Sequence, residues 1–359
     1  MTWGEILTQG TSQLKQAGIA SPNLDASLLL AHILGIDREH LLIYGDRALK
    51  PDAISRFLNL VSRRIAGENI AYLTGYKEFW GLSFQVSSAV LVPRPDTEIL
   101  VETVLSFLQG QNSKEGQSFN SGSYSLLDLC TGSGAVAIAL KSSCPGLEVS
   151  ASDISAPALE IAHTNARRLL SGGQGSNEGQ SPGEEQNSGE GQSFIFGNHS
   201  SKKNQKVQNL RDNEAFSGDR ASEDQEDQSP HGGQSFGHGQ GQSITFYLSD
   251  LYTAIPGTFD IIVSNPPYIP SGVLAELPRE VQKEPRIALD GGRDGLDLIK
   301  KIISGGHRRL TPGGILFLEA DPGQMSAITL ILTKEGFQNI LVYRDLAGLE
   351  RVISGKRNG

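Results

Sequence analysis

At 359 residues the chain has room for about two domains, and a hydrophobic fraction of 38% with 42 glycines means that part of it does not pack. A net charge of -9 excludes a protein that grips nucleic acid with its whole surface. No apolar run reaches membrane-spanning length, residues 1–5 lack a signal peptide's basic region and apolar core, and two cysteines, Cys130 and Cys144, cannot build a disulfide framework, so a cytoplasmic setting is expected.

Residues 1–75 read as a helical domain. Pro22 starts a helix with Leu24, Leu28, Leu29, Ala31 and Ile33 as its apolar positions and Gly35 as its stop. Pro51 starts another, with Ile54, Phe57, Leu58, Val61 and Ile65 on one face. Residues 76–95 form a hairpin linker: Phe79 and Trp80, a turn at Gly81, then Phe84 and Val86 in alternation. From 96 to 359 the pattern alternates. Strands are expected at 126–130, 148–152, 244–248, 260–264, 314–318, 338–344 and 351–354, and helices at 134–140, 155–170 and 296–307. Such alternation predicts an α/β domain with a doubly wound, mostly parallel seven-stranded sheet.

Residues 171–243 break this domain. They hold 14 of the 42 glycines and 11 acidic against 5 basic side chains, a net -6 that leaves -3 for the remainder. With almost no apolar periodicity, the segment cannot offset its ordering entropy, so it is expected to be a disordered insertion. The word Gly-Gln-Ser-Phe occurs at 191–194 and 233–236 and again at 116–119, in a second low-complexity tract at 109–123. The tripeptide Gly-Gly-Gln occurs at 172–174 and 232–234.

One end of the expected site lies in Leu127-Asp128-Leu129-Cys130-Thr131-Gly132-Ser133-Gly134, between a strand and a helix. Gly132 and Gly134 allow a tight turn with backbone close to a ligand, and in an open α/β sheet ligands bind at the carboxyl ends of the strands. Ala135-Val136-Ala137 stands where a dinucleotide fold needs its last glycine, which disfavours a pyrophosphate ligand. Asp153 ends the next strand, placed to take two ribose hydroxyls, and Asp250 follows the third, placed to accept from an adenine amino group.

The other end is Asn265-Pro266-Pro267-Tyr268, after the strand at 260–264. An amide nitrogen is a poor nucleophile because its lone pair is delocalised into the carbonyl. Two acceptors on an NH2 group would aim that lone pair, and the Asn265 side-chain oxygen and the Pro266 carbonyl are placed to serve. The prolines hold them before reaction. Tyr268 offers a ring face to a planar amide or a nascent cation.

These segments, with Leu91-Val-Pro-Arg-Pro-Asp-Thr-Glu98, Ala71-Tyr-Leu-Thr-Gly75 and Glu284-Pro-Arg-Ile-Ala-Leu289, resemble the release-factor glutamine methyltransferases of the PrmC/HemK type, enzymes of the class I S-adenosylmethionine-dependent fold. The resemblance covers all but the low-complexity tracts. It implies transfer of a methyl group from S-adenosylmethionine to the side-chain nitrogen of the glutamine in the Gly-Gly-Gln motif of peptide chain release factors, which would be the partners. It implies substrate contacts from Asn265, Pro266, Pro267, Tyr268 and Arg94, cofactor contacts from Asp128, Thr131, Gly132, Gly134, Asp153, Asp250 and Asn265, a pocket bordered by residues 94–97, and a docking role for residues 1–75. Cys130 stands where the family usually has glycine. The segment 319–324 departs from the family pattern, and no role is expected for it. The seven histidines show no ligand spacing, so no metal is expected.

Two other readings compete. Asn-Pro-Pro-Tyr is shared with adenine-N6 methyltransferases of nucleic acids, which need a basic face that the mildly acidic remainder lacks. A binding module without catalysis is disfavoured by the intact glycine loop and Asn265-Pro-Pro-Tyr268.

Overall fold

The computed structural model describes residues 1–115, 124–171, 234–236 and 243–359. The helical domain comprises α1 (Trp3–Gln16), α2 (Pro22–Leu34), α3 (Arg38–Ile43), α4 (Pro51–Ile65) and α5 (Ile70–Thr74). Thr2 and Glu5 form a capping box at α1, and Pro22 and Pro51 each sit in the first turn of their helix, where a missing N–H costs nothing. Trp3, Ile6, Leu14, Leu29, Leu30, Phe57 and Val61 make a core of their own. The expected face of α4 is turned slightly: Phe57, Leu60 and Val61 are buried, whereas Ile65 is exposed because Arg64 takes the inward place.

Arg64 is buried because its charge is met. It donates to Asp25 Oδ2 at 2.7 Å and lies 2.6 Å from Glu280, so an ion pair ties α4 to the short, sequence-distant helix at Arg279–Gln282. Beyond α5, β1 (Tyr76–Phe79) and β2 (Leu82–Gln85) form the expected hairpin around Trp80 and Gly81.

The remaining elements are α6 (Glu98–Glu115), β3 (Ser125–Leu129), α7 (Ala135–Ser143), β4 (Glu148–Asp153), α8 (Ala156–Leu170), β5 (Gln234–Phe236), β6 (Ile244–Leu248), β7 (Phe259–Ser264), α9 (Arg279–Gln282), α10 (Asp297–Arg309), β8 (Leu310–Glu319), α11 (Met325–Lys334), β9 (Phe337–Arg344) and β10 (Glu350–Arg357). The sheet order is β5-β6-β4-β3-β7-β8-β10-β9. The five strands from β6 to β8 are parallel, and β10 is antiparallel to both of its neighbours.

Alternate residues of the strands feed two cores. Leu126, Ile261, Val263 and Phe317 face α6, α7 and α8, while Leu127, Ile262, Leu316 and Leu318 face α10 and α11. Each such side chain contributes about 1.5–3 kcal/mol by leaving water. This is the expected doubly wound sheet of seven strands, with an eighth added at its edge.

That eighth strand comes from the low-complexity segment. Gln234, Ser235 and Phe236 pair with Phe246, Thr245 and Ile244 of β6. Residues 172–233 and 237–242 of the expected disordered insertion, Gly-Gly-Gln at 172–174 among them, lie outside the described residues, as does 116–123 of the second tract. In the second Gly-Gly-Gln, Gln234 has its backbone committed to the sheet edge.

Candidate active site

The carboxyl ends of β6, β4, β3 and β7 lie side by side, so whatever follows those strands shares one edge of the sheet. A cavity of about 650 Å³ opens there. Arg94, Asp128, Thr131, Gly132, Asp153, Asp250, Asn265 and Pro267 line it. Gly134, Pro266 and Tyr268 are not among the lining residues.

The turn after β3 is built by hydrogen bonds to two carboxylates. Asp128, 1% exposed, accepts from the Thr131 hydroxyl at 2.6 Å and the Ala137 N–H at 3.2 Å. Burial pushes its pKa up to about 7 even though both bonds favour the anion. Asp153 accepts from Gly132 N–H at 2.9 Å through one oxygen and from Ser155 N–H at 2.9 Å through the other. Burial raises its pKa as well. Each Asp153 oxygen keeps a second lone pair for a ligand hydroxyl. Asp250 is exposed at the cavity edge.

Gly132 has φ +56°, and a Cβ there would meet no protein atom within 4 Å, because the space it would enter is the cavity. Gly134 instead shapes the turn, donating its N–H to Thr131 O at 2.9 Å. Cys130 holds φ +59°, a left-handed conformation in which a side chain carries strain and a glycine would not. Burial, then the Asp153 charge, push its thiol pKa upward.

The loop after β7 is held from several sides. Ile269 exchanges backbone hydrogen bonds with Leu289 and Gly291 at 3.0 and 2.8 Å, and Gln324 donates to Tyr268 O at 2.8 Å. A Cβ on Gly291 would come within 2.8 Å of Pro267 O and Tyr268 Cα, so only glycine lets the two segments close. Asn265 donates its side-chain Nδ2–H to the Thr97 hydroxyl at 3.0 Å. The NH2 end is thereby engaged inward, and Oδ1 is left as the acceptor in a residue that lines the cavity.

Tyr268 is arranged differently from the sequence expectation. It packs against the core on the α10 and α11 side, and its hydroxyl lies 3.5 Å from Glu319 Oε1. Burial, then the Glu319 charge, push the phenol pKa upward, so Tyr268 stays a neutral donor. Arg94 lines the cavity while its guanidinium is paired with Glu284.

Glu284 also accepts from Val92 N–H at 3.1 Å and Asn69 Nδ2 at 3.3 Å. It joins the helical domain, the linker and the loop after β7. Burial raises its pKa against the opposing pull of Arg94. Sequence reasoning gave no role to Thr97 beyond the pocket border and none to Glu284 or Glu319. Their partners are 168, 215 and 51 positions away in the chain, beyond any local pattern.

A family model described as the PrmC N-terminal domain matches residues 5–75. Among curated proteins, the chain is 32% identical to a release factor glutamine methyltransferase of Moorella thermoacetica, over 98% of this chain and 97% of that one. It is 34% identical to the enzyme of that name from Burkholderia pseudomallei, over 94% and 92%. A third, from Deinococcus radiodurans, is 30% identical over 99% and 98%.

Proposed function

The chain belongs to the release factor glutamine methyltransferase family, and on that premise we propose how it works: it methylates the side-chain nitrogen of the Gly-Gly-Gln glutamine in peptide chain release factors, with Asn265 as the residue that orients the reacting amide. The observation that carries this reading is the direction of the Asn265 side chain. Its Nδ2–H is given to Thr97, so Oδ1 accepts from a substrate NH2 rather than competing with it as a second donor. A second acceptor, which the sequence assigns to the Pro266 carbonyl although Pro266 does not line the cavity, would hold the other amide hydrogen, so that the nitrogen lone pair, normal to the amide plane, is aimed at the incoming methyl. These fixed dipoles also oppose the positive charge that grows on nitrogen. No side-chain base is required before transfer, because the methylated nitrogen becomes acidic and sheds its proton afterwards. Tyr268, neutral and anchored on Glu319, supports the loop behind the amide.

S-adenosylmethionine, when bound, supplies the methyl as an electrophilic carbon and takes the bonding electron pair onto its sulfur. The cavity suits a ligand of that size, and the open space before Gly132 suits close approach of the ligand to backbone. Asp153 would hold the ribose hydroxyls through its remaining lone pairs, and Asp250 the adenine amino group. The thiols of Cys130 and Cys144 are free, in keeping with a reducing cytoplasm, and no helix among the described residues is long and apolar enough to cross a membrane. Residues 1–75 would dock the release factor, and their ties through Arg64 and Glu284 would set that surface relative to the cavity. The test is methyl transfer from labelled S-adenosylmethionine to a purified release factor and, in parallel, to DNA and RNA. Label in the release factor alone supports the reading. Label in adenine moves the chain to the nucleic-acid class.

A further inference from the structure

The turn between β9 and β10, residues 345–349, has no part in the cofactor and substrate contacts above, yet it stands on the same edge of the sheet. Val352 of β10 pairs with Glu319, the last residue of β8, and Ala320 N–H donates to Arg351 O at 3.0 Å, so β10 begins at the carboxyl end of β8. β8 runs parallel to β7, whose carboxyl end leads into Asn265. The turn therefore lies two strands from β7, about 10 Å at the usual strand spacing.

The turn is built to hold one shape. Asp345 Oδ1 accepts from the Ala347 and Leu349 N–H groups, both at 2.9 Å, and the Asp345 N–H donates to Leu349 O at 2.9 Å. Gly348 turns the chain at φ +80°, and its carbonyl accepts from Arg344 at 2.8 Å. The frame is also tied to the reacting end. Arg351 bridges Asp345 at 3.0 Å and Asp96 at 2.9 Å, and the residue after Asp96, Thr97, accepts from Asn265 Nδ2 at 3.0 Å. Charges near the tip are matched with each other, Arg344 with Glu350 and Arg351 with Asp345. What the turn presents outward is apolar: Leu346 is fully exposed and Leu349 is 46% exposed. Lone exposed leucines are ordinary on protein surfaces, but these two sit on a fixed frame referenced to Asn265.

A cavity of about 650 Å³ that takes S-adenosylmethionine and a glutamine side chain leaves the rest of a protein substrate outside, over this edge of the sheet. Resting on the reading of the release factor as substrate, we propose that the 345–349 turn is a second docking surface for it: Leu346 inserts into an apolar depression of the release factor beside its Gly-Gly-Gln tripeptide, and Leu349 flanks the contact. Burial of Leu346 supplies the gain, and because the turn is already ordered, little conformational freedom is lost on binding. A tip whose charges are internally matched suits an apolar surface rather than an acidic or basic one. The tripeptide alone offers few contacts, so presentation to Asn265 depends on surfaces outside the cavity, residues 1–75 being one and the turn another.

The experiment compares wild type, Leu346→Asp, Leu346→Ala and, as a control, Leu330→Asp, at a leucine 72% exposed on α11. It measures kcat and KM for an unmethylated release factor, S-adenosylmethionine affinity, melting temperature and, by sedimentation, oligomeric state. Leu346→Asp should raise KM about tenfold or more, the effect of losing an interface anchor, and Leu346→Ala should raise it less. In both, kcat at saturating release factor, cofactor affinity and melting temperature should hold. Leu330→Asp should match wild type throughout. Wild-type KM in Leu346→Asp overturns the proposal. So does a lowered kcat with KM unchanged, which would put the turn in the chemistry rather than in docking. An equal rise of KM in Leu330→Asp overturns it as an effect of added negative charge. A wild-type dimer that Leu346→Asp dissociates with KM unchanged overturns it in favour of a second copy of this chain. If Leu346→Asp melts below wild type, the KM of Leu346→Ala decides. Absence of transfer by wild type refutes the proposed function, and the docking surface with it.

Discussion

Removing the Glu284 carboxylate tests how the helical domain is fastened to the active-site loop. Glu284→Ala strips the acceptor from three donors: Val92 N–H, Asn69 Nδ2 and Arg94. Val92 and Asn69 are 2% and 6% exposed, so their donors cannot turn to water, and each unsatisfied buried donor costs about 1–3 kcal/mol. The Arg94 side chain is 35% exposed and regains solvent, so little is added for it. Loss of the carboxylate also relieves its own desolvation, which raises its pKa in the folded chain. The balance is a destabilisation of about 2–5 kcal/mol, and at about 2–4 °C per kcal/mol the melting temperature should fall by roughly 5–15 °C. If the helical domain docks the release factor as proposed, KM for that substrate should rise in parallel, because the domain and the loop lose a shared anchor. Glu280→Ala is the control. Its side chain is 40% exposed and Arg64 keeps Asp25, so its effect should stay within about 1 kcal/mol. Thermal unfolding of both variants is the assay. A Glu284→Ala protein that melts within about 2 °C of wild type, or no lower than Glu280→Ala, would refute the reasoning.

Asn265→Ala should lose about 100- to 1,000-fold in kcat while titration calorimetry finds cofactor affinity little changed; near-normal turnover would remove Asn265 from the reacting end. Asp153→Ala should raise the S-adenosylmethionine dissociation constant at least about tenfold, as expected for lost charge-assisted bonds of about 1.5–3 kcal/mol, and unchanged binding would place the ribose elsewhere. Replacing residues 172–242 with a short Gly-Ser bridge removes β5. Because loop length costs only about 0.6 kcal/mol per doubling, the melting temperature should shift by only a few degrees. A deletion that does not fold would show that the segment packs as part of the core.

The elements most legible in the sequence were those whose signal is local. Pro22 and Pro51 mark helix starts, Gly35 marks a stop, and apolar runs at 126–130 and 260–264 place the glycine turn and Asn265 on adjacent strand ends. Helix α6 went unread although Leu100, Val101, Val104 and Leu108 have helical spacing, because its last turns merge into the Gly-Gln tract. Helix α11 is rich in threonine and isoleucine, which favour strands, and tertiary packing of Met325, Ile328 and Leu332 overrides that preference. The strand β5 has no local signal at all, since Gln-Ser-Phe extends only because β6 offers an edge. At the site, sequence position placed Asn265 and Asp153 but not the side-chain directions. Those depend on Thr97 for Asn265 and on the Gly132 and Ser155 N–H groups for Asp153, partners fixed only once the chain has folded. The same holds for Cys130, whose left-handed backbone accounts for the glycine that the family resemblance leads one to expect there.

The most direct measurement is mass spectrometry of an unmethylated release factor after incubation with this protein and S-adenosylmethionine. The account predicts one added methyl group, located by fragmentation on the side-chain nitrogen of the Gly-Gly-Gln glutamine, and none when that glutamine is replaced by alanine. A methyl group on any other residue, or an unmodified release factor in the presence of a protein that binds the cofactor, would contradict it.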